Sequence, residues 1–244
     1  MLNVHSPVVA SAPPQRNVKK AACTPARKIL LTGFEAFDKD PVNPSWVLAQ
    51  SLHGKQIAGH RVVAAQLPTA FDASAESLRA LVLAQRPALV VCLGLAGGRA
   101  TMSLERVAIN INDARIPDNL RVQPVDTPVV AHGPAAYFSA LPLKTMLHAV
   151  RTAGAAVEVS NSAGTFVCNH VFYALMHMLA TDDGLKGVRG GFVHVPWLPE
   201  QARSHKSKAA MPLHTMQSGL RAGLRAALQH GSAPDIRLAA GTTH

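Results

Sequence analysis

Two apolar runs without a polar face set the first constraint on this chain: Lys28-Ile-Leu-Leu-Thr-Gly-Phe34 and Pro87-Ala-Leu-Val-Val-Cys-Leu-Gly-Leu95. A strand with one face in water alternates apolar and polar residues. A strand that is apolar throughout has to be covered on both sides, as in a parallel sheet with helices above and below. Segments of helical length separate the strand-like runs. Asn43-Pro-Ser-Trp46 opens a helix to about Leu52, with its proline in the first turn, where no internal hydrogen bond is lost. Ser74 to Gln85 places Leu78, Leu81 and Val82 on one face. Further helices are expected over Pro134 to about Val150, Cys168 to Leu179, and about His214 to Gln229. Strands are expected around Val62 to Leu67, from Ala88 to Leu93, in "AAVEVSNSAGT", and in "RGGFVHVPWLPE" up to Pro196. This alternation predicts an α/β fold: three-layer α/β/α, with a twisted, mostly parallel sheet flanked by helices. Ligands of such folds bind at the carboxyl ends of the strands.

The 244 residues suffice for one sizeable core, taken as a single domain over residues 28–244. Residues 1–27 carry basic residues, Pro13-Pro14 and little periodicity, and read as a disordered tail. No apolar run has transmembrane length. Lys and Arg number 24 against 14 Asp and Glu, a net charge of +10 that permits non-specific contact with anions. The basic patches, in the tail and at Arg203-Ser-His-Lys-Ser-Lys208, lack interleaved aromatics, which argues against a nucleic-acid function. Three cysteines, Cys23, Cys92 and Cys168, do not make a disulfide framework and fit a reducing, cytoplasmic compartment.

Three segments that follow strands carry the candidate chemistry. "CLGLAGGRATMSLERVAIN" supplies Arg99, Glu105 and Asn110. "SNSAGTFVCNH" supplies Cys168, Asn169 and His170. "GFVHVPWLPEQ" supplies His194 and Glu200. Cys92, inside a buried strand, reads as packing. Cys168 stands where a loop becomes a helix, and unpaired N–H groups and the helix dipole favour a thiolate there. His194, near a strand end, suits a base that takes the thiol proton and returns one to a leaving amine, and Glu105 suits a carboxylate that orients the ring. Packing remains an alternative for Cys168, a structural role for His194, and a solvated surface pair for Glu105-Arg106. Cys168 and His170 are too close along a helix to converge on a metal, and no recognised ligand spacing is present. "GLAGGRA" lacks a nucleotide-loop pattern, so neither metal nor cofactor is expected.

Four blocks, "LLTGFEAFDKDPVNPSW", "GLAGGRATMSLERVAININDARIPDN", "SNSAGTFVCNHVFYALMH" and "FVHVPWLPEQA", closely resemble the pyroglutamyl-peptidase I family of cysteine peptidases. The resemblance runs from Lys28 to about residue 230. It implies an omega-peptidase that removes an amino-terminal pyroglutamyl residue through a thioester. In it Cys168 is the nucleophile, His194 the base and acid, and Glu105 the orienting carboxylate. It further implies that Phe34 and Phe37 sandwich the lactam, that Asn43 recognises it, and that Ile116, Phe166 and Val167 complete the wall. Arg115 would lie near the scissile carbonyl, Asp118 would support the site, and Leu95 stands where many members have Gln. Asp38-Lys39 replaces a common Gly-Gly, and Trp197 a common Tyr. Peptides with amino-terminal pyroglutamate are the implied partners, and a homodimer or homotetramer the implied assembly. An amidase or transferase for another small cyclic amide, and a non-catalytic RNA- or partner-binding protein, are the alternatives.

Overall fold

The computed structural model describes Met1 and residues 27–241, apart from Lys39 and Ser232. The expected amino-terminal tail lies almost wholly outside the described residues, as do Cys23 and the lysine of Asp38-Lys39. In chain order the elements are β1 (Lys28–Phe34), α1 (Pro44–Ser51), β2 (Gln56–Ile57), β3 (His60–Leu67), α2 (Phe71–Gln85), β4 (Leu89–Leu95), β5 (Met102–Glu105), β6 (Val107–Ile109), β7 (Ala136–Phe138), α3 (Leu143–Thr152), β8 (Val157–Ser160), α4 (Val167–Thr181), β9 (Arg189–Val195), α5 (Pro199–Ala202) and α6 (Leu213–His230).

Among the described residues, seven strands form one sheet in the order β2-β3-β1-β4-β9-β5-β8, and β6 pairs with β7 in a separate ribbon. Four of the six neighbouring pairs in the main sheet are parallel; β2 against β3 and β5 against β9 are antiparallel. The two apolar runs are β1 and β4, adjacent at the centre. Their side chains alternate between two cores. Ile29, Leu31, Leu89, Val91 and Leu93 pack with residues of α1, α3 and α6, while Leu30, Phe34, Val90 and Cys92 pack with residues of α2 and α4. A strand buried on both faces has no polar side to show, which explains the unbroken apolar reading.

The expected helix over Pro134–Val150 is half wrong. Ala136–Phe138 is strand β7, paired with Val107–Ile109, and the helix begins only at Leu143. Pro142 occupies the position before the first helical residue, where its fixed φ suits a start rather than a continuation. The short strand β5 interrupts the βα alternation and brings Glu105 antiparallel to β9.

Candidate active site

Glu105 ends β5, His194 stands one residue before the end of β9, and Cys168 is the second residue of α4. The β5–β9 register pairs Ser103 with His194, so the chain end of β5 carries Glu105 back toward the imidazole. His194 Nδ1 donates to Glu105 Oε1 at 2.7 Å, with the carboxylate fully buried and the ring 5% exposed. A carboxylate only accepts, so Nδ1 carries a proton. The other ring nitrogen is left for the Cys168 thiol, a hydrogen-bond partner of the ring. Burial alone pushes His194 toward neutrality. The Cys168 sulfur and Glu105 outweigh it and hold the ring up at about 9. Arg99 completes the cluster, its NH1 3.2 Å from the same Glu105 oxygen.

The start of α4 is built to leave backbone donors open. Phe166 occupies the N-cap and makes no side-chain cap, and the first helical hydrogen bond is from His170 N–H to the Phe166 carbonyl. The N–H groups of the preceding turn are therefore available to an anion. Asn169, fully buried beside the cysteine, accepts from Ile109 N–H and donates to the carbonyls of Ile109 and Ile111. It ties the Cys168 helix to the chain that leaves Glu105. Gly94 on β4 permits the close approach of Cys168: a Cβ there would lie 2.8 Å from Sγ and 2.7 Å from the Phe192 ring. Cys92 is packing, as expected; burial drives its thiol up to about 12, partly offset by the Thr32 hydroxyl.

Cys168 opens onto a cavity of about 370 Å³. Phe34, Phe37, Leu95, Phe166 and Val167 give it apolar walls, and Asn43, Thr69, Asp38 and Asp40 give it polar ones. Phe37 and Phe166 stack at a tilt with centroids 5.4 Å apart. Asn43 lines the cavity with its carboxamide engaged: Oδ1 accepts from Ser45 N and Oγ, capping α1, and Nδ2 donates to the Glu35 carbonyl. Arg115 and Ile116 are exposed and lie outside this lining. Ile116 borders a neighbouring hollow of about 410 Å³ that shares Phe37 and Asp38 with it. Asp118 is buried and lines the same hollow. Its oxygens accept from Phe71 N–H, at the start of α2, and from Leu120 and Val122 N–H. His170 Nδ1 donates to Asn112 Oδ1, 3.0 Å away, and burial keeps the imidazole below its ordinary pKa.

Trp197, His205 and Asp40 form a wall not anticipated as a unit. The indole and imidazole stack 3.8 Å apart, and His205 Nε2 meets Asp40 Oδ1 at 3.0 Å. His205 belongs to the basic stretch 203–208, which in sequence resembles a solvated surface and has no motif to mark it as cavity lining.

A buried carboxylate–imidazole pair beside a thiol at an uncapped helix start, on an α/β sheet, defines a thiol hydrolase. The pyroglutamyl peptidase family model matches residues 27–230, and the chain belongs to that family of cysteine peptidases. It is 50% identical over 218 residues to the pyrrolidone-carboxylate peptidase of Cupriavidus pinatubonensis, covering 89% of this chain and 100% of that one. It is 50% identical over 216 residues to pyrrolidone-carboxylate peptidase 1 of Ralstonia nicotianae, covering 88% and 99%. The crystal structure of Bacillus amyloliquefaciens pyroglutamyl peptidase I superposes with a TM-score of 0.82 at 40% identity, covering 86% of this chain and 100% of that one. The pyrrolidone carboxyl peptidase of Thermococcus litoralis gives 0.83 at 31% identity, covering 87% and 99%.

Proposed function

We propose that Cys168, His194 and Glu105 are the nucleophile, the acid–base and the orienting carboxylate of this peptidase. The protein is a cysteine omega-peptidase acting on amino-terminal pyroglutamyl residues. One observation carries the residue assignment: Cys168, with the His194–Glu105 pair behind it, forms part of the wall of an aromatic cavity at an uncapped helix start.

The lactam is small, planar and uncharged. Phe34, Phe37 and Phe166 suit its faces, and Thr69, Asn43 and the backbone at Leu95 suit its amide. An open-chain glutamyl residue would bring an ammonium and a carboxylate into the same walls, and both resist desolvation. Cys168 attacks the pyroglutamyl carbonyl, and first-turn N–H groups of α4 receive the oxyanion. His194 passes its proton to the leaving amine, and a thioester remains. Water then attacks, giving its proton to His194, and the sulfur departs. Arg115, Ile116 and Asp118 enter this reading at one remove. Arg115 is exposed next to Ile116, which edges the neighbouring hollow together with Asp118, and Asp118 holds α2 and the 118–122 turn in place.

No described helix is long and apolar enough to cross a membrane. A cytoplasmic homo-oligomer of two or four chains acting on peptides completes the reading. The test is turnover of a pyroglutamyl-linked chromogenic amide under reducing conditions. Wild type is expected to release the chromophore, and Cys168→Ser to release none while keeping its melting temperature and circular dichroism. Undiminished turnover by the serine variant would overturn the assignment.

A further inference from the structure

Glu105 has no access to water, and its Oε2 has no hydrogen-bond partner among the described residues. All of its recorded bonding falls on Oε1, shared by His194 Nδ1 at 2.7 Å and Arg99 NH1 at 3.2 Å. The guanidinium is delivered by the glycine-rich loop after β4. Gly98 adopts φ +90°, a region that favours glycine, and Gly97 lies so close under Trp197 that a Cβ would meet the ring at 2.5 Å. Arg99 N–H closes the turn on the Ala96 carbonyl. The run "GLAGGRA", which has no nucleotide pattern, is therefore the turn that returns a cation to the buried carboxylate.

Among the described residues, the other charged groups around Glu105 do not supply a permanent positive charge. His194 from β9 changes charge within each turnover. Cys168 from α4 lies across the imidazole. Glu158 on β8 is a like charge, bonded by the Ser103 hydroxyl. Arg106 is turned the other way, its NH2 donating to the Ala240 carbonyl. When His194 has given its proton to the leaving amine, the ring is neutral and Glu105 is a buried anion without its imidazolium. An unpaired buried charge is strongly disfavoured.

We propose that Arg99 is a positioning residue, the standing counter-ion of Glu105, which keeps the carboxylate charged and aimed at His194 while the imidazole is neutral. This inference rests on the triad assigned above. Its weight falls on the second half of the cycle. There neutral His194 takes a proton from the attacking water, the new C–O bond forms at the thioester carbon, and the C–S bond breaks. The sulfur leaves as thiolate beside the regenerated imidazolium. The positive charge developing on the ring needs a Glu105 that is already ionised.

The experiment compares wild type, R99M and R99K on a pyroglutamyl anilide, with acid-quenched samples analysed by intact-protein mass spectrometry. R99M is expected to lose about ten- to a hundredfold in kcat. Its kcat/KM should fall less, and the thioester-linked enzyme should accumulate. Arg99 is about one-third exposed, so its vacated site opens to solvent, and guanidinium chloride below denaturing concentration should restore part of kcat. R99K should keep most of the activity. R99Q, which retains a polar stem without the charge, replaces R99M if that variant melts early. Unchanged kcat, or an equal loss in kcat and kcat/KM without recovery by guanidinium, overturns the proposal. Wild-type turnover and Cys168→Ser test the triad separately, so failure at Arg99 leaves that reading intact.

Discussion

At the scale of the residue, the site depends on how a buried charge is held. His194 gains from the Cys168 sulfur and the Glu105 carboxylate more than it loses by burial, and its pKa stands at about 9. A raised pKa on a base means that the charged form persists to higher pH and is lost as pH climbs through the raised value. The acid of the proposed cycle is thus present at neutral pH, and kcat/KM is expected to decline as pH rises through about 9. Glu105→Gln keeps the shape and removes the charge that supports the imidazolium. The descending limb should then move to lower pH, with kcat reduced roughly 10²- to 10⁴-fold. A pH–rate profile of both proteins checks this, and a limb that stays in place would remove Glu105 from the mechanism. These three residues stood out in the sequence as candidates because each lies at a boundary where a run of apolar residues stops: a strand end, a strand end and a helix start. The cation on Glu105 was less legible. Arg99 stood in the right segment, but nothing in its spacing says which way a glycine loop turns.

At the scale of the element, Cys168 is placed by the close contact of α4 with the end of β4. Gly94 has no side chain on the face where Cys92, two residues earlier, packs inward, and the sulfur occupies that room. Gly94→Ala would set a methyl 2.8 Å from Cys168 Sγ and 2.7 Å from Phe192. Real carbon contacts do not come so near, so the helix start or the ring has to move. The expected outcome is a loss of kcat/KM of about a hundredfold, because a misplacement near 1 Å at a reacting atom is costly. Overpacking of this kind destabilises by about 1–3 kcal/mol, so thermal melting should shift only by degrees. Kinetics and melting on the same sample separate the two. A variant with normal kcat/KM would show that sulfur placement does not depend on this contact. Periodicity located α4 to within a residue at its start, because its apolar face repeats helically. It failed at Ala136–Phe138, a three-residue strand whose partner Val107–Ile109 lies some thirty residues away. Such a pairing leaves no local periodic trace.

At the scale of the whole molecule, some helix starts are held by side chains from far along the chain. α1 carries its own cap, Asn43. α2 and α3 begin after Ala70 and Pro142, neither of which caps with a side chain. Both receive a carboxylate from far along the chain: Asp118 to Phe71 N–H, and Asp235 to the N–H groups of Lys144 and Thr145 and the Thr145 hydroxyl. The N-caps of α4 and α6, Phe166 and Pro212, make no side-chain cap, and α4 carries Cys168, the proposed nucleophile. Caps supplied from 47 or 91 residues away are invisible to any reading of local sequence. Asp118, which the family resemblance places in support of the site, supplies one of these caps at α2. Asp235 offers a direct measure of such a cap, since it also fastens the segment after α6 to α3. Asp235→Ala should cost about 1–2 kcal/mol. That amounts to a fall in melting temperature of about 2–4 °C for each kcal/mol in a chain of this size. The dependence on pH has a definite sign. Burial tends to raise the Asp235 pKa, but the bonds from Thr145, Lys144 and Ile236 outweigh it and hold the carboxyl below its ordinary 3.8. A depressed pKa stabilises the fold above the unfolded value and loses that stabilisation as pH falls through the folded one. The gap between wild type and Asp235→Ala should therefore be full at pH 7 and close on acidification below about pH 4. Activity per folded molecule should not change, because the cap lies on the opposite face of the sheet from Cys168. A gap that is constant with pH would mean that Asp235 contributes by packing rather than by charge.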